Sequence, residues 1–227
     1  MSFSMQGSVQ IVPRLTDGNA TVQVNANRQL VFIDGTGAGE ADAYWSKTYE
    51  ISAGQSQAVD LRALVVTVLG ATGTLVLDTV KHLLVFNQSA DTSLTVGPGA
   101  VDGWDGLAGD IPVGRSGTLM LHSPVSGVAA SSVSRTVAIT NTDVVHTLNG
   151  NTTSGQKAIT GLSSTTSLEV GMLVAGTGIP SGATIASITN GTSVQLSANA
   201  TATGTGVSLT FRRPPATVEI HVVGVED

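Results

Sequence analysis

Three kinds of residue in this chain could carry chemistry: clustered carboxylates, histidines, and a small set of aromatics. The carboxylates gather in two Gly-rich stretches, Asp34-Gly-Thr-Gly-Ala-Gly-Glu40-Ala-Asp42 and the segment holding Asp102, Asp105 and Asp110. A calcium ion wants roughly six to eight oxygens from a loop of defined spacing, and neither stretch has the EF-hand pattern. They read as solvated turn carboxylates, with a structural cation as the alternative. Gly35, Gly37 and Gly39 lack the spacing and strand–helix setting of a dinucleotide fingerprint, and Gly70-Ala-Thr-Gly73 lacks the lysine of a phosphate loop.

The four histidines, His82, His122, His146 and His221, are scattered, with no HxH or HExxH pairing to hold a metal. They read as satisfied or exposed strand histidines. His122-Ser123 has no nucleophile-elbow sequence around it. No catalytic residue, cofactor or metal is assigned. The sequons at Asn151 and Asn199 follow from the abundance of Thr. The aromatics are more telling. Tyr44, Trp45 and Tyr49 cluster, and Trp104 sits in the acidic loop Asp102-Gly-Trp-Asp-Gly. Exposed tryptophans anchor interfaces. Trp104, Trp45, Tyr44 and the N-terminal Arg14 are therefore the interface candidates, with core packing an equal reading for Trp45.

These residues must be positioned by strands. The 227 residues include 27 Gly, no Cys and 11% charged side chains, with a net charge of −6. A typical domain is about 25% charged, so hydroxyls and backbone must cover much of this surface. An acidic chain without a basic tract is not built for nucleic acid, no apolar run approaches a membrane helix, and zero cysteines excludes thiolate chemistry. The opening MSFSMQGSVQ has neither the basic nor the apolar stretch of a signal peptide. Short alternating or Val-rich runs recur between Gly, Asn, Asp and Pro: 21–25, 29–33 (across an Asn-Arg turn), 47–52, 74–77, 80–87, 93–96, 118–122, 136–140 and 217–223. Residues 58–69 suit a strand as well as a short helical turn. Such spacing predicts an all-β chain, a β-sandwich or jelly-roll-like domain.

Composition shifts once, near residue 143. Residues 147–211 hold 23 Ser or Thr, and only Lys157 and Glu169 are charged. Five short strands are expected there, at 157–159, 172–174, 184–188, 193–196 and 207–211. The stiff Arg212-Arg213-Pro214-Pro215 follows. Joining RTVAITNT directly to ATVEIHVVG reads as a hairpin. Residues 143–214 are therefore expected to be a second small β-sandwich, inserted at the tip of the last hairpin of a domain formed by 21–142 and 215–227. Two sequential domains are the alternative. Residues 1–20 are expected as an extended arm that reaches a neighbour.

The run from Leu61 to Pro124 resembles small all-β virion proteins of tailed bacteriophages, through Asn87, Ser89, Leu94, Thr95, Val96, Gly97, Gly117, Leu119, Leu121 and Pro124. Ile139, Asn141, Ile220, Val222 and Gly224 match the closing strands of that pattern. The stretch from Ser167 to Phe211 is similar to an Ig-like surface insert of phage tail, fibre and capsid-appended proteins, through Gly171-Met172, Gly176-Thr177-Gly178-Ile179-Pro180, Gly182 and 196–201. The resemblance implies a phage-particle context without naming the component, and the leading expectation is a non-enzymatic virion protein on the capsid surface, a decoration or cement protein. Its partners would be the major capsid protein, further copies of itself (a trimer first) and, for the insert, a host-surface glycan. A tail fibre or baseplate protein that binds the host is the alternative.

Overall fold

The computed structural model describes the backbone of residues 4–227 except 12–13, 18–19, 24–25, 34, 39, 69–70 and 124. It describes side chains from residue 35 on, apart from those positions and 68 and 71. Every regular element among the described residues is a strand, so none is a helix that could cross a membrane. The chain begins as a ribbon. β1 (Ser4–Ile11) pairs with β4 (Ala26–Ile33), and β2 (Arg14–Asp17) with β3 (Ala20–Gln23), all antiparallel. The expected arm boundary at residue 20 falls on the first residue of β3. Asn27 and Arg28, expected in a turn, lie inside β4 opposite Gln10 and Val9.

The strands β5 (Ala43–Ile51), β6 (Ser56–Asp60), β7 (Leu64–Val68), β8 (Ala71–Leu75), β9 (Leu77–Asn87), β10 (Leu94–Pro98), β11 (Ile111–Val113), β12 (Thr118–His122), β13 (Val128–Ala129) and β14 (Thr136–Asn141) follow. Next come β15 (His146–Thr152), β16 (Ala158–Ile159), β17 (Leu173–Gly176), β18 (Ile185–Asn190), β19 (Ser193–Leu196) and β20 (Gly204–Arg212), and then the closing β21 (Ala216–Glu226). One sheet has the order β11-β10-β14-β6 and a second β12-β9-β21-β5, with β13 also on β9. The chain is all-β, and these two sheets pack as a β-sandwich. Alternation decides the faces: Val218, Ile220 and Val222 of β21 point into the core, as do Val137 and Ile139 of β14. They meet Leu83 and Val85 of β9 and Leu94 and Val96 of β10, all at most 1% exposed. Each such aliphatic contributes roughly 1.5–3 kcal/mol by leaving water. Residues 58–69 resolve into the end of β6, a turn at Leu61–Ala63 and β7.

The expected last hairpin is not formed. β14 pairs with β10 and β6, whereas β21 pairs with β9 and β5, so the two strands lie in opposite layers. Alternation shows that one face of a strand is buried and leaves its neighbours open. Between them, β15-β20-β17 and β16-β19-β18 form two three-stranded sheets around a second core of Ile159, Val174, Ile185, Leu196, Leu209 and Phe211. Both ends of this excursion return to one place. Asn141 Nδ2 donates to the Ile51 carbonyl at 2.9 Å, and Ala216 is paired with the same Ile51.

Candidate functional site

Polar and aromatic side chains converge on the outer face of the sheet β12-β9-β21-β5. Cross-strand register puts His122 opposite His82, Met120 opposite Leu84 and Thr118 opposite Phe86. On the other side of β9, Val223 lies opposite His82, His221 opposite Leu84 and Glu219 opposite Phe86, with Tyr44 beyond Val223. Three of the four histidines therefore share one face. His82 and His122 meet edge to face with ring centroids 5.5 Å apart, and Phe86 stands edge-on to His221 at 5.6 Å. His146 begins β15, opposite Phe211, away from this face, and is half-exposed.

A polar chain crosses this face. The Tyr44 hydroxyl lies 2.7 Å from His221 Nδ1, His221 Nε2 lies 3.1 Å from Glu219 Oε1, and Gln88 Nε2 donates to Glu219 Oε2 at 2.7 Å. The partners assign the tautomer: Nε2–H donates to the carboxylate, and Nδ1 accepts from the phenol. Hydroxyl, imidazole and carboxylate stand in charge-relay order. Beside it, Tyr44 lines a hollow of about 380 Å³ with Asp42, Val66, Thr74, Leu75 and Glu226, where two carboxylates repel an anionic substrate. Both ring nitrogens of His221 and both carboxylate oxygens of Glu219 have partners in this chain, which fixes the orientation of the imidazole.

His82 differs. It is 2% exposed, its Nδ1 has no hydrogen-bond partner, and burial pushes its pKa down to about 4, with His122 and His221 adding to the shift and the Leu121 carbonyl opposing it. Beside it the buried Lys81 donates to the carbonyls of Val125 at 3.0 Å and Gly37 at 3.5 Å, tying two loops over this end of the sheet. The open end, with Leu84, Phe86 and Met120, stays half-exposed.

The other sequence candidates fall elsewhere. Trp104, read as an interface residue, is 1% exposed in the sandwich core, where its Nε1 donates to the Ala129 carbonyl at 3.0 Å. Its Gly-rich loop folds inward because Trp104 N and Gly99 N both bond to the Thr136 carbonyl. Trp45, also an interface candidate, is 5% exposed and donates to the Val65 carbonyl, so it belongs to the core. Tyr44 is 40% exposed and remains on the surface. Arg14 opens β2 by its backbone, but its side chain lies outside the described residues, as does all of Asp34.

Glu40 accepts from Gly37 N, Asp42 from Glu226 N, and Asp102 pairs with Arg135 at 3.2 Å. Among the described residues no group of three or more acidic or histidine side chains is arranged to hold a metal ion. The histidine face was missed because the strand register that assembles it joins residues far apart in sequence. Its one signal was parity: His221 and Glu219 share a side of β21, as His82, Leu84 and Phe86 share one of β9. Comparison of the chain with protein-family models, curated proteins and solved structures finds no match.

Proposed function

We propose that the chain is a non-enzymatic structural protein of a tailed-bacteriophage virion, a capsid decoration protein seated on the major capsid protein. The observation that carries this reading is the single point of attachment of the second core. Asn141 and Ala216 both meet Ile51, so residues 143–215 leave and rejoin the sandwich at one end while its own core stays whole. Such an arrangement suits a protein that grips a lattice with one body and displays another. The grip would come from apolar area buried between neighbours. The displayed core, hydroxyl-rich and almost uncharged, suits weak adhesion to a host-surface glycan.

A tail-associated, host-binding position is the second reading. A hollow of about 440 Å³ in the second core favours it, with Leu173, Gly176, Ile179, Ser181 and Arg212 around it. Imaging of particles that contain the chain, with its copy number against the main shell protein, decides between them. Hundreds of copies on the head are expected. A handful at the tail selects the second reading, and absence from particles removes both.

A further inference from the structure

The sandwich has four sheet edges, and three are guarded against pairing with another chain. The β11 edge carries Pro112, β5 carries Lys47 and Glu50, and β6 ends in Asp60, which is ion-paired to Arg135 at 3.0 Å. The fourth edge, β12, reads Thr-Leu-Met-Leu-His and has no charge, proline or bulge. It pairs with β9 alone, and its backbone makes no other backbone hydrogen bond among the described residues. Leu119, Met120 and Leu121 are all left half-exposed.

We propose that β12 is the seam of a two-fold symmetric dimer, in which it pairs antiparallel with β12 of a second copy about Met120. A two-fold contact sets residue i opposite residue j and j opposite i, and the near-symmetry of Thr-Leu-Met-Leu-His about Met120 makes the central opposed pairs apolar on both sides. Self-pairing sets Met120 opposite Met120, Leu119 of one copy opposite Leu121 of the other, and Thr118 opposite His122. Residues opposed in an antiparallel pair share a face. Leu119 and Leu121 already pack against the sandwich core, so the seam joins the two cores. Met120 lies with Leu84 and Phe86 on the outer face, so that half-exposed strip also continues into its copy. The five-stranded sheets of the two copies become one continuous sheet, and the β12 edge is removed. The proposed symmetry is two-fold, whereas the expectation from the sequence put a trimer first.

This inference concerns self-association alone, beyond the proposed function, and its failure leaves the particle-imaging test intact. Sedimentation of the full chain at tens of micromolar should give twice the monomer mass of 22.9 kDa. Met120→Lys places two like charges face to face on a solvent-facing position and should return a monomer with unchanged circular dichroism. Cross-linking gives a second route, because the chain has no cysteine. Met120→Cys should form a covalent dimer on oxidation, whereas Ser46→Cys, on the same face but on the far strand β5, should not. A monomeric wild-type chain, a three-copy mass, a folded Met120→Lys protein that still dimerises, or equal cross-linking at position 46 overturns the seam.

Discussion

His82 is the residue through which acid should weaken this fold. Its pKa is about 4 in the folded chain and about 6.5 when unfolded, so as pH falls the unfolded chain takes up the proton first. The contribution of neutral His82 is complete above about pH 6.5 and is lost on the way down to pH 4, to the extent of roughly 2–3 kcal/mol. Denaturant titrations at pH 7, 6, 5 and 4.5 should show the wild type losing more stability than His82→Phe, which cannot titrate. Parallel losses in the two proteins would remove His82 from the account. Trp104 tests packing in the same way. Trp104→Ala should cost about 3–5 kcal/mol, because a fully buried indole leaves a cavity and strips the Ala129 carbonyl of its donor. An effect below about 1 kcal/mol would mean that its loop faces solvent.

At the scale of elements, β9 and β21 must stay in contact through two register shifts, between Val223 and Gly224 and between Val225 and Glu226. Gly224 permits the first. A Cβ there would come within 2.3 Å of the Thr79 carbonyl oxygen, and backbone cannot step aside as a flexible side chain can. Gly224→Ala should therefore destabilise the sandwich by about 1–3 kcal/mol, read as a lower midpoint in urea with an unchanged slope. A neutral result would show that the two strands can separate locally without cost. The sequence located β12 and β19 to the residue, since one is a short apolar run and the other an alternating one, each between turn residues. It did not locate β15, His-Thr-Leu-Asn-Gly-Asn-Thr, whose composition is that of a turn. That strand forms because Leu148 sits opposite the buried Leu209 in β20, a tertiary contact that overrides local preference.

For the whole molecule, the meeting of Asn141 and Ala216 at Ile51 makes the second core removable. Replacing residues 143–214 by a linker of about five Gly and Ser residues should leave a folded sandwich, since the span to be closed is about one inter-sheet spacing of 10 Å. Both tryptophans lie in the sandwich core, so fluorescence reports that core alone, while circular dichroism sees both. The deleted chain should keep its tryptophan emission and unfold in one transition. Red-shifted emission in the deleted chain would show that the two cores fold as one. In the full chain, Arg213 joins Asp143 at 3.9 Å and also bonds Glu169. The two optical curves of the full chain should separate in Arg213→Ala, where this link between the attachment point and the second core is cut.

The sequence by itself determined the all-β class, most of the strands and the stretch of altered composition. These depend on alternation, turn residues and charge density, which act within about ten residues. Tertiary structure alone decided the rest. It buried Trp104, because a Gly-rich loop can fold inward as readily as outward. It placed β14 and β21 in opposite layers, because alternation names a buried face and no neighbour. It gathered His82, His122 and His221 onto one face, because strand register joins residues as far apart as 82 and 223. And it paired β12 with a strand on one side only, which no property of Thr-Leu-Met-Leu-His reveals until its sheet is built around it.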